Sequence, residues 1–144
     1  MLNGIPSILS PELLKVLMEM GHGDEITIGD GNFPGAALAP STASGLLIRA
    51  DGHSVTEMLE AILKFFPLDT YAQPLFVMQK PEEMPEPPVW SEFRNLTQPH
   101  THAGLEELER YDFYDRAKKS YAILMTGESA IYANIILKKG VVTE

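Results

Sequence analysis

The side chains best suited to chemistry lie in two short segments that flank one predicted strand. His22 stands between two glycines in residues 21–25, and Asp30 opens residues 30–34. A histidine can give or take a proton near neutral pH, and a carboxylate accepts hydrogen bonds from hydroxyl groups. We expect Asp24 and Asp30 to favour the protonated form of His22. The two segments predict a site in which His22 transfers a proton and Asp30 holds a ligand.

Both residues also have a purely structural interpretation. A histidine at the end of a helix can bind the last carbonyl groups and interact with the helix dipole. An aspartate in a turn often binds its own backbone. The glycines beside His22 favour the functional interpretation, because they let a ligand approach the main chain. From these residues alone, both alternatives stay open for Asp30.

Five further residues carry groups that could bind a ligand. Tyr132 and Asn134 are expected on one face of a strand with Ala133 on the other, and a phenol beside an amide suits sugar hydroxyls. Arg110 is either solvated or an anchor, depending on whether its side chain enters a cleft. His100 and His102 alternate like metal ligands, but no third ligand follows at a recognisable spacing. We therefore predict no metal site.

The composition narrows the class of protein. The 144 residues fit a single domain, residues 1–144, with a sizeable core. A net charge of −9 repels phosphate backbones, so we expect no nucleic-acid partner. No apolar run approaches the roughly 20 residues of a membrane span. The absence of cysteine excludes disulfides and thiol catalysis and suits the reducing cytoplasm.

Hydrophobic periodicity and capping residues predict helices that alternate with short strands, as in an α/β layered domain. Ser10 and Ser54 are typical N-caps, and Pro67 ends the second helix. Residues 105–110 fit a helix by propensity, or a strand if a new helix begins at Asp112. The predicted helices cover 11–20, 54–66, 89–98 and a segment ending near 120; the predicted strands cover 25–29, 46–48, 74–79, 121–125 and 131–137; loops cover 30–45 and 80–88.

Seven segments together resemble one known family over most of the chain. They resemble the L-fucose mutarotase and D-ribose pyranase family, and its fucose mutarotase branch most closely. Arg110, the first residue of RYDFYDRAKK, favours the fucose branch, because the pyranase branch is expected to lack this pattern. The segments are SILSPELLKVLMEMGHGDEI, GDGNFP, RADG, LDTY, PPVWSEFRN, RYDFYDRAKKSYAILMTGE and IYANIILKKGV.

The resemblance implies a three-layer α/β/α domain with a sheet of about six strands, one of them over residues 105–110. It implies a cofactor-free isomerase of sugar anomers, or of ribose between pyranose and furanose forms. His22 matches the general acid, and the sugar contacts match Asp30, Arg110, Tyr132, Ala133 and Asn134. A second role for Tyr132, assisting at the anomeric hydroxyl, is our inference from its chemistry.

The resemblance also implies a homo-oligomer, in rings or stacked rings, with sites near subunit boundaries. The apolar residues 33–38 fit this, and we expect them to lie against a neighbouring chain. A different class of function remains open, namely a monosaccharide-binding or regulatory module without catalysis. Such a module needs the same hydroxyl partners but no titrating histidine.

Overall fold

One mixed six-stranded sheet forms the centre of the molecule. The structure is a computed structural model that describes residues 1–144. The strands are β1 Glu25–Gly29, β2 Leu47–Ala50, β3 Leu75–Met78, β4 Glu106–Leu108, β5 Ala122–Thr126 and β6 Ile135–Lys138. They lie in the sheet in the order β2-β5-β1-β6-β3-β4. The helices are α1 Pro11–Glu19, α2 Gly35–Leu38, α3 Val55–Leu63, α4 Pro88–Thr97 and α5 Arg110–Lys118, and Ala39–Ser41 forms a 3₁₀ turn.

Strand β6 is antiparallel to both of its neighbours, β1 and β3. The other pairs, β1–β5, β2–β5 and β3–β4, are parallel. The register places Ile28 opposite Ile135 and Glu25 opposite Lys138. The beginning of β6 therefore lies beside the end of β1, and the end of β6 lies beside the beginning of β1.

Helices cover both faces of the sheet, as the predicted three-layer α/β/α architecture requires. Helices α1, α3 and α4 pack on one face, where Leu13, Met58 and Trp90 join a buried cluster of 26 residues. Helix α5 and the α2 segment pack on the other face, around Phe113 and Leu38, in a cluster of 10 buried residues. No helix is long and apolar enough to cross a membrane.

The starts of α5 and β6 differ from the sequence prediction for reasons that the structure shows. Helix α5 begins at Arg110 rather than Asp112, because the Glu109 carboxylate caps it by accepting the Tyr111 and Asp112 N–H groups at 2.8 and 3.2 Å. Residues 106–108 before it form β4, so the strand implied by the family resemblance is confirmed. Strand β6 begins at Ile135 rather than residue 131, because Tyr132 has a φ of 54°, which no strand accommodates.

The predicted loop over residues 30–45 contains a short helix, and its apolar residues belong to the protein's own core. Phe33 and Leu38 are only 6% and 7% exposed, packed with Phe113 of α5. Phe33 and Leu38 therefore leave little surface for a neighbouring chain, and the expectation that residues 33–38 lie against one stays a prediction. Ala36 and Ala37 alone in this segment are exposed.

The turn after β5 packs against the turn after β2 and tolerates no side chain at Gly127. A Cβ there would overlap the Asp51 carbonyl oxygen, while the Gly127 N–H donates to the His53 carbonyl oxygen at 2.9 Å. We predict that Gly127→Ala lowers the free energy of unfolding in urea by about 1–3 kcal/mol, as overpacking does. The control Gly52→Ala, where a Cβ meets nothing within 4 Å, should be close to neutral. Equal losses in the two variants would contradict this explanation.

Candidate active site

Asp30 joins the end of β1 to the segment before β6. Its side chain is 4% exposed, and its two carboxylate oxygens accept the Asn32 and Ala133 N–H groups at 2.9 and 3.3 Å. Its own N–H donates to Asn134 Oδ1 at 2.7 Å. Burial raises the pKa of Asp30, although the backbone hydrogen bonds from Asn32 and Ala133 oppose the shift. These bonds fix a buried carboxylate at the base of a depression.

Tyr132 lies in a strained turn rather than in a strand. It is the one non-glycine residue with positive φ, at 54°, a conformation that costs on the order of 1–3 kcal/mol and is found most often at functional sites. The buried indole of Trp90 holds this turn, because its Nε1–H donates to the Tyr132 carbonyl oxygen at 2.9 Å. The prediction of Tyr132 and Asn134 on one strand face is wrong, yet the turn still brings both to one place.

Arg110 is the first residue of α5 and its side chain is exposed. Its Nε–H donates to the Tyr114 hydroxyl at 3.0 Å, and its guanidinium carbon lies 5.5 Å from the Tyr114 ring centroid. The Tyr114 ring in turn meets Phe33 edge to face at 5.9 Å between centroids. This contact directs a flexible cation toward the same depression.

A cavity of about 250 Å³ unites these residues. Asp30, Arg110, Tyr132 and Asn134 all line it, so four of the five predicted ligand-binding residues come together. Ala133 does not, because its side chain is fully buried and only its backbone N–H contributes, to Asp30. The rest of the lining is Asn32, Phe33, Pro34, Met78, Tyr114 and Ile131.

His22 lies at the opposite end of β1 from this cavity. Asp30 follows the five-residue strand and His22 precedes it, which at about 3.3 Å per residue separates them by roughly 17 Å. Neither Asp24 nor Asp30, the carboxylates that we expected to act on His22, pairs with it. Asp24 instead accepts the Gly21 N–H at 2.7 Å. His22 Nε2 lies 3.0 Å from Oδ1 of Asp69, a residue 47 positions away.

The turn that carries His22 is attached to the end of β6. The Gly23 N–H donates to the Lys139 carbonyl oxygen at 2.8 Å, and the Lys139 N–H donates to the Asp24 carbonyl oxygen at 2.8 Å. Gly23 has a φ of 87°, so it rather than Gly21 supplies the left-handed residue of the turn. Lys139 Nζ also donates to the Leu17 carbonyl oxygen at 2.9 Å, which stabilises the end of α1.

A second, larger cavity of about 550 Å³ lies beside Asp69. Its lining includes Asp69, Tyr71, His100 and His102. His100 and His102 are exposed, and no three His, Asp or Glu side chains in the chain are grouped so that they could hold a metal ion. These histidines lack the third ligand that a metal centre needs.

Sequence reasoning missed Asp69 and Trp90 as parts of the site. Asp69 lies in the LDTY segment of the family resemblance, which gave it no role. Trp90 contacts Tyr132 across 42 positions. A local pattern carries no information about such a contact, so only the topology reveals it.

Comparison with known proteins gives the family. The family model described as the RbsD / FucU transport protein family matches residues 3–142. The chain belongs to this family. A fucose mutarotase of Danio rerio is 45% identical over 146 residues, which cover 98% of this chain and 94% of that protein.

Solved structures of the family share the fold. The fucose mutarotase of Streptococcus pneumoniae in complex with L-fucose has a TM-score of 0.90 and 45% identity, covering 99% of this chain and 100% of that one. Bacillus subtilis RbsD complexed with D-ribose has a TM-score of 0.73 and covers 94% of this chain and 95% of that one. At 22% identity, the second comparison establishes a common fold only.

Asn134 provides a test of how the cavity is held together. Its Oδ1 accepts the buried Asp30 N–H, so Asn134→Ala leaves that donor without a partner. We predict a loss of about 1–3 kcal/mol in the free energy of unfolding, measured in urea. The matched control Asn32→Ala removes an exposed amide that makes no side-chain hydrogen bond and should change stability by less than about 0.5 kcal/mol. Equal effects would show that the Asn134 amide does not anchor Asp30.

Proposed function

We propose that the protein is a mutarotase, an isomerase that interconverts the α and β anomers of L-fucose. The observation that carries the proposal is the cavity in which Asp30, Arg110, Tyr132 and Asn134 meet. These side chains offer a carboxylate, a guanidinium, a phenol and an amide, which together can bind several hydroxyl groups. The identity of 45% to a fucose mutarotase along nearly the whole chain supports L-fucose as the sugar.

Mutarotation requires only proton transfers and one rotation. A proton is delivered to the ring oxygen and another leaves the anomeric hydroxyl, so the bond between the anomeric carbon and the ring oxygen breaks and an aldehyde forms. The aldehyde turns by half a revolution about its bond to the sugar chain, and the reverse transfers close the ring. Positioned acid–base groups accelerate such steps by about 10²–10⁴-fold.

We assign the roles by chemistry and position. His22 donates the proton to the ring oxygen, as its family match implies. Asp30, Arg110 and Asn134 bind sugar hydroxyls, and the Tyr132 phenol assists at the anomeric hydroxyl as a hydrogen-bond partner. The strained backbone of Tyr132 fits a residue whose side chain must point at a ligand.

Two copies of the chain are needed to complete this site. Within one chain, His22 and Asp30 lie at opposite ends of β1, too far apart to contact one monosaccharide. Exposed aromatic rings adjoin both halves, since Tyr71 beside His22 is 82% exposed and Tyr111 beside Arg110 is 66% exposed. If the surface around His22 of one copy covers the cavity of the next copy, the contact buries both tyrosine rings. Repeated head to tail, such a contact gives a ring when the rotation between copies closes, which is the assembly that we propose.

A non-catalytic monosaccharide-binding module is the alternative. It accounts for the cavity but gives no reason for a half-exposed histidine held by a buried carboxylate. Exchange of ribose between its pyranose and furanose forms is a further activity to test, since a more distant family member was solved with D-ribose. A cytoplasmic location is part of the proposal, supported by the lack of cysteine.

The activity can be measured directly by NMR saturation transfer between the two anomers. We predict that the protein accelerates anomer exchange of L-fucose without added metal or nucleotide, and acts on L-fucose faster than on D-ribose or D-galactose. Arg110→Ala should raise KM because a hydroxyl partner is lost. Arg49→Ala, which removes an exposed arginine paired with Asp51, is the matched control. Sugar binding without accelerated exchange would favour the binding-module alternative.

Mixing two impaired variants tests whether the site spans two copies. We predict that His22→Ala keeps the fold but loses most exchange activity, and that Arg110→Ala is weak at low fucose concentration. When the two chains are co-expressed in equal amounts, about a quarter of the contacts in a ring should combine an intact His22 with an intact Arg110. Activity at low fucose should therefore rise well above that of either variant alone. No recovery in mixed oligomers would place the site within one chain.

A further inference from the structure

We infer that Asp69 is the positioning residue of His22, and that it leaves Nδ1 as the ring nitrogen that exchanges protons with the sugar. The inference rests on the proposed function, because it refines the role of His22 in proton transfer. It assigns to Asp69 a task that involves no contact with the sugar.

Asp69 is held rigidly by hydrogen bonds to its side chain and its main chain. Its side chain is 4% exposed, and its Oδ1 accepts the Tyr71 N–H at 3.1 Å as well as facing His22 Nε2 at 3.0 Å. Its own N–H donates to the Lys138 carbonyl oxygen at 3.0 Å. Because the next residue, Lys139, anchors the His22 turn, the two partners are fixed to adjacent residues at the end of β6.

The charge of Asp69 determines which His22 nitrogen carries the hydrogen. Burial acts to raise the pKa of Asp69, but the hydrogen bonds from the Tyr71 N–H and His22 outweigh it, so the pKa lies below its usual range. An ionised carboxylate only accepts hydrogen bonds. Nε2 must therefore be protonated, and a neutral His22 has its free lone pair on Nδ1.

Nδ1 is then the nitrogen available for chemistry. It makes no hydrogen bond within the chain, whereas Nε2 is occupied by Asp69. The His22 side chain is 46% exposed, and the Tyr71 ring lies against it at 5.3 Å between centroids. In the forward step the Nδ1–H of the imidazolium gives its proton to the ring oxygen, and Nδ1 takes the proton back on closure. Asp69 neither gains nor loses a proton.

A second histidine–carboxylate pair provides an internal control. His53 Nδ1, just before the N-cap of α3, lies 3.1 Å from Oε2 of Glu57 in the first turn of that helix, and the Glu57 side chain is 57% exposed. In this pair the carboxylate faces Nδ1 rather than Nε2, and the carboxylate of Glu57 is exposed to solvent. The variant Glu57→Gln keeps the N-terminal cap of α3, because glutamine serves in a capping box as glutamate does.

The tautomer is measured by ¹⁵N NMR of the histidine-labelled wild-type protein, at a pH where the ring is neutral. We expect His22 to show the Nε2–H tautomer, with its hydrogen on the nitrogen that faces Asp69. A predominant Nδ1–H tautomer at His22 would overturn the inference. This measurement needs no variant and no activity, so it decides the tautomer even if Asp69 variants fold poorly.

The kinetic test is Asp69→Asn. The amide keeps the shape and an oxygen for the Tyr71 N–H, but it can present either oxygen or N–H to Nε2, so one tautomer is no longer imposed. We expect kcat to fall by at least about tenfold. The fall should not exceed the factor of ~10²–10⁴ that the general acid contributes as a whole. KM should stay within about twofold, because Asp69 does not touch the sugar. The ¹⁵N spectrum should show mixed tautomers at His22.

The control and the opposing outcomes separate this inference from the proposed function. Glu57→Gln should leave kcat and the His22 spectrum unchanged. A folded Asp69→Asn protein with wild-type kcat, or one whose loss lies in KM alone, would overturn the positioning role while leaving the mutarotase proposal intact. A wild-type protein that fails to exchange any of the three sugars would overturn the proposed function, and with it the catalytic meaning of the tautomer.

Discussion

The antiparallel pairing of β6 with β1 is the constraint on which both halves of the site depend. Because the two strands run in opposite directions, residues 132–134 before β6 meet Asp30, and residues 138–140 at its other end meet the His22 turn and Asp69. The side-chain period of a strand is two, so a register slip of one residue would reverse every face. A slip of one residue would bring the half-buried Lys138 into the fully buried position of Leu137, so one register of this strand fixes both ends.

Two buried aspartates at these ends illustrate how surroundings decide the use of one side chain. Asp30 is bound by backbone N–H groups, and burial raises its pKa. Asp69 is just as buried, yet hydrogen bonds from Tyr71 and His22 lower its pKa. In the mechanism that we propose, the first meets the sugar, and the second meets a side chain that meets the sugar. The residue type alone reveals neither the direction of the pKa shift nor the role of the side chain.

Sequence reasoning succeeded where the determining contacts are local. Ser10 accepts the Leu13 N–H, and Ser54 forms a complete capping box with Glu57, as predicted. It failed at the start of α5 because glutamate is an uncommon N-cap, and at Tyr132 because a positive φ in a tyrosine has no sequence signal. The partners of His22 and Tyr132 lie 47 and 42 positions away along the chain. The family resemblance, rather than propensity, identified the strand before Arg110.

The hydrogen bond from Trp90 to Tyr132 has an optical consequence. The chain contains a single tryptophan, and its indole N–H ends on the carbonyl oxygen of the strained turn at the cavity. Its emission therefore comes from one place, with no background from other indoles. Any ligand that shifts the turn alters the hydrogen bond of that indole, so the protein carries a built-in fluorophore beside its cavity. Occupancy can be followed in solution without a label.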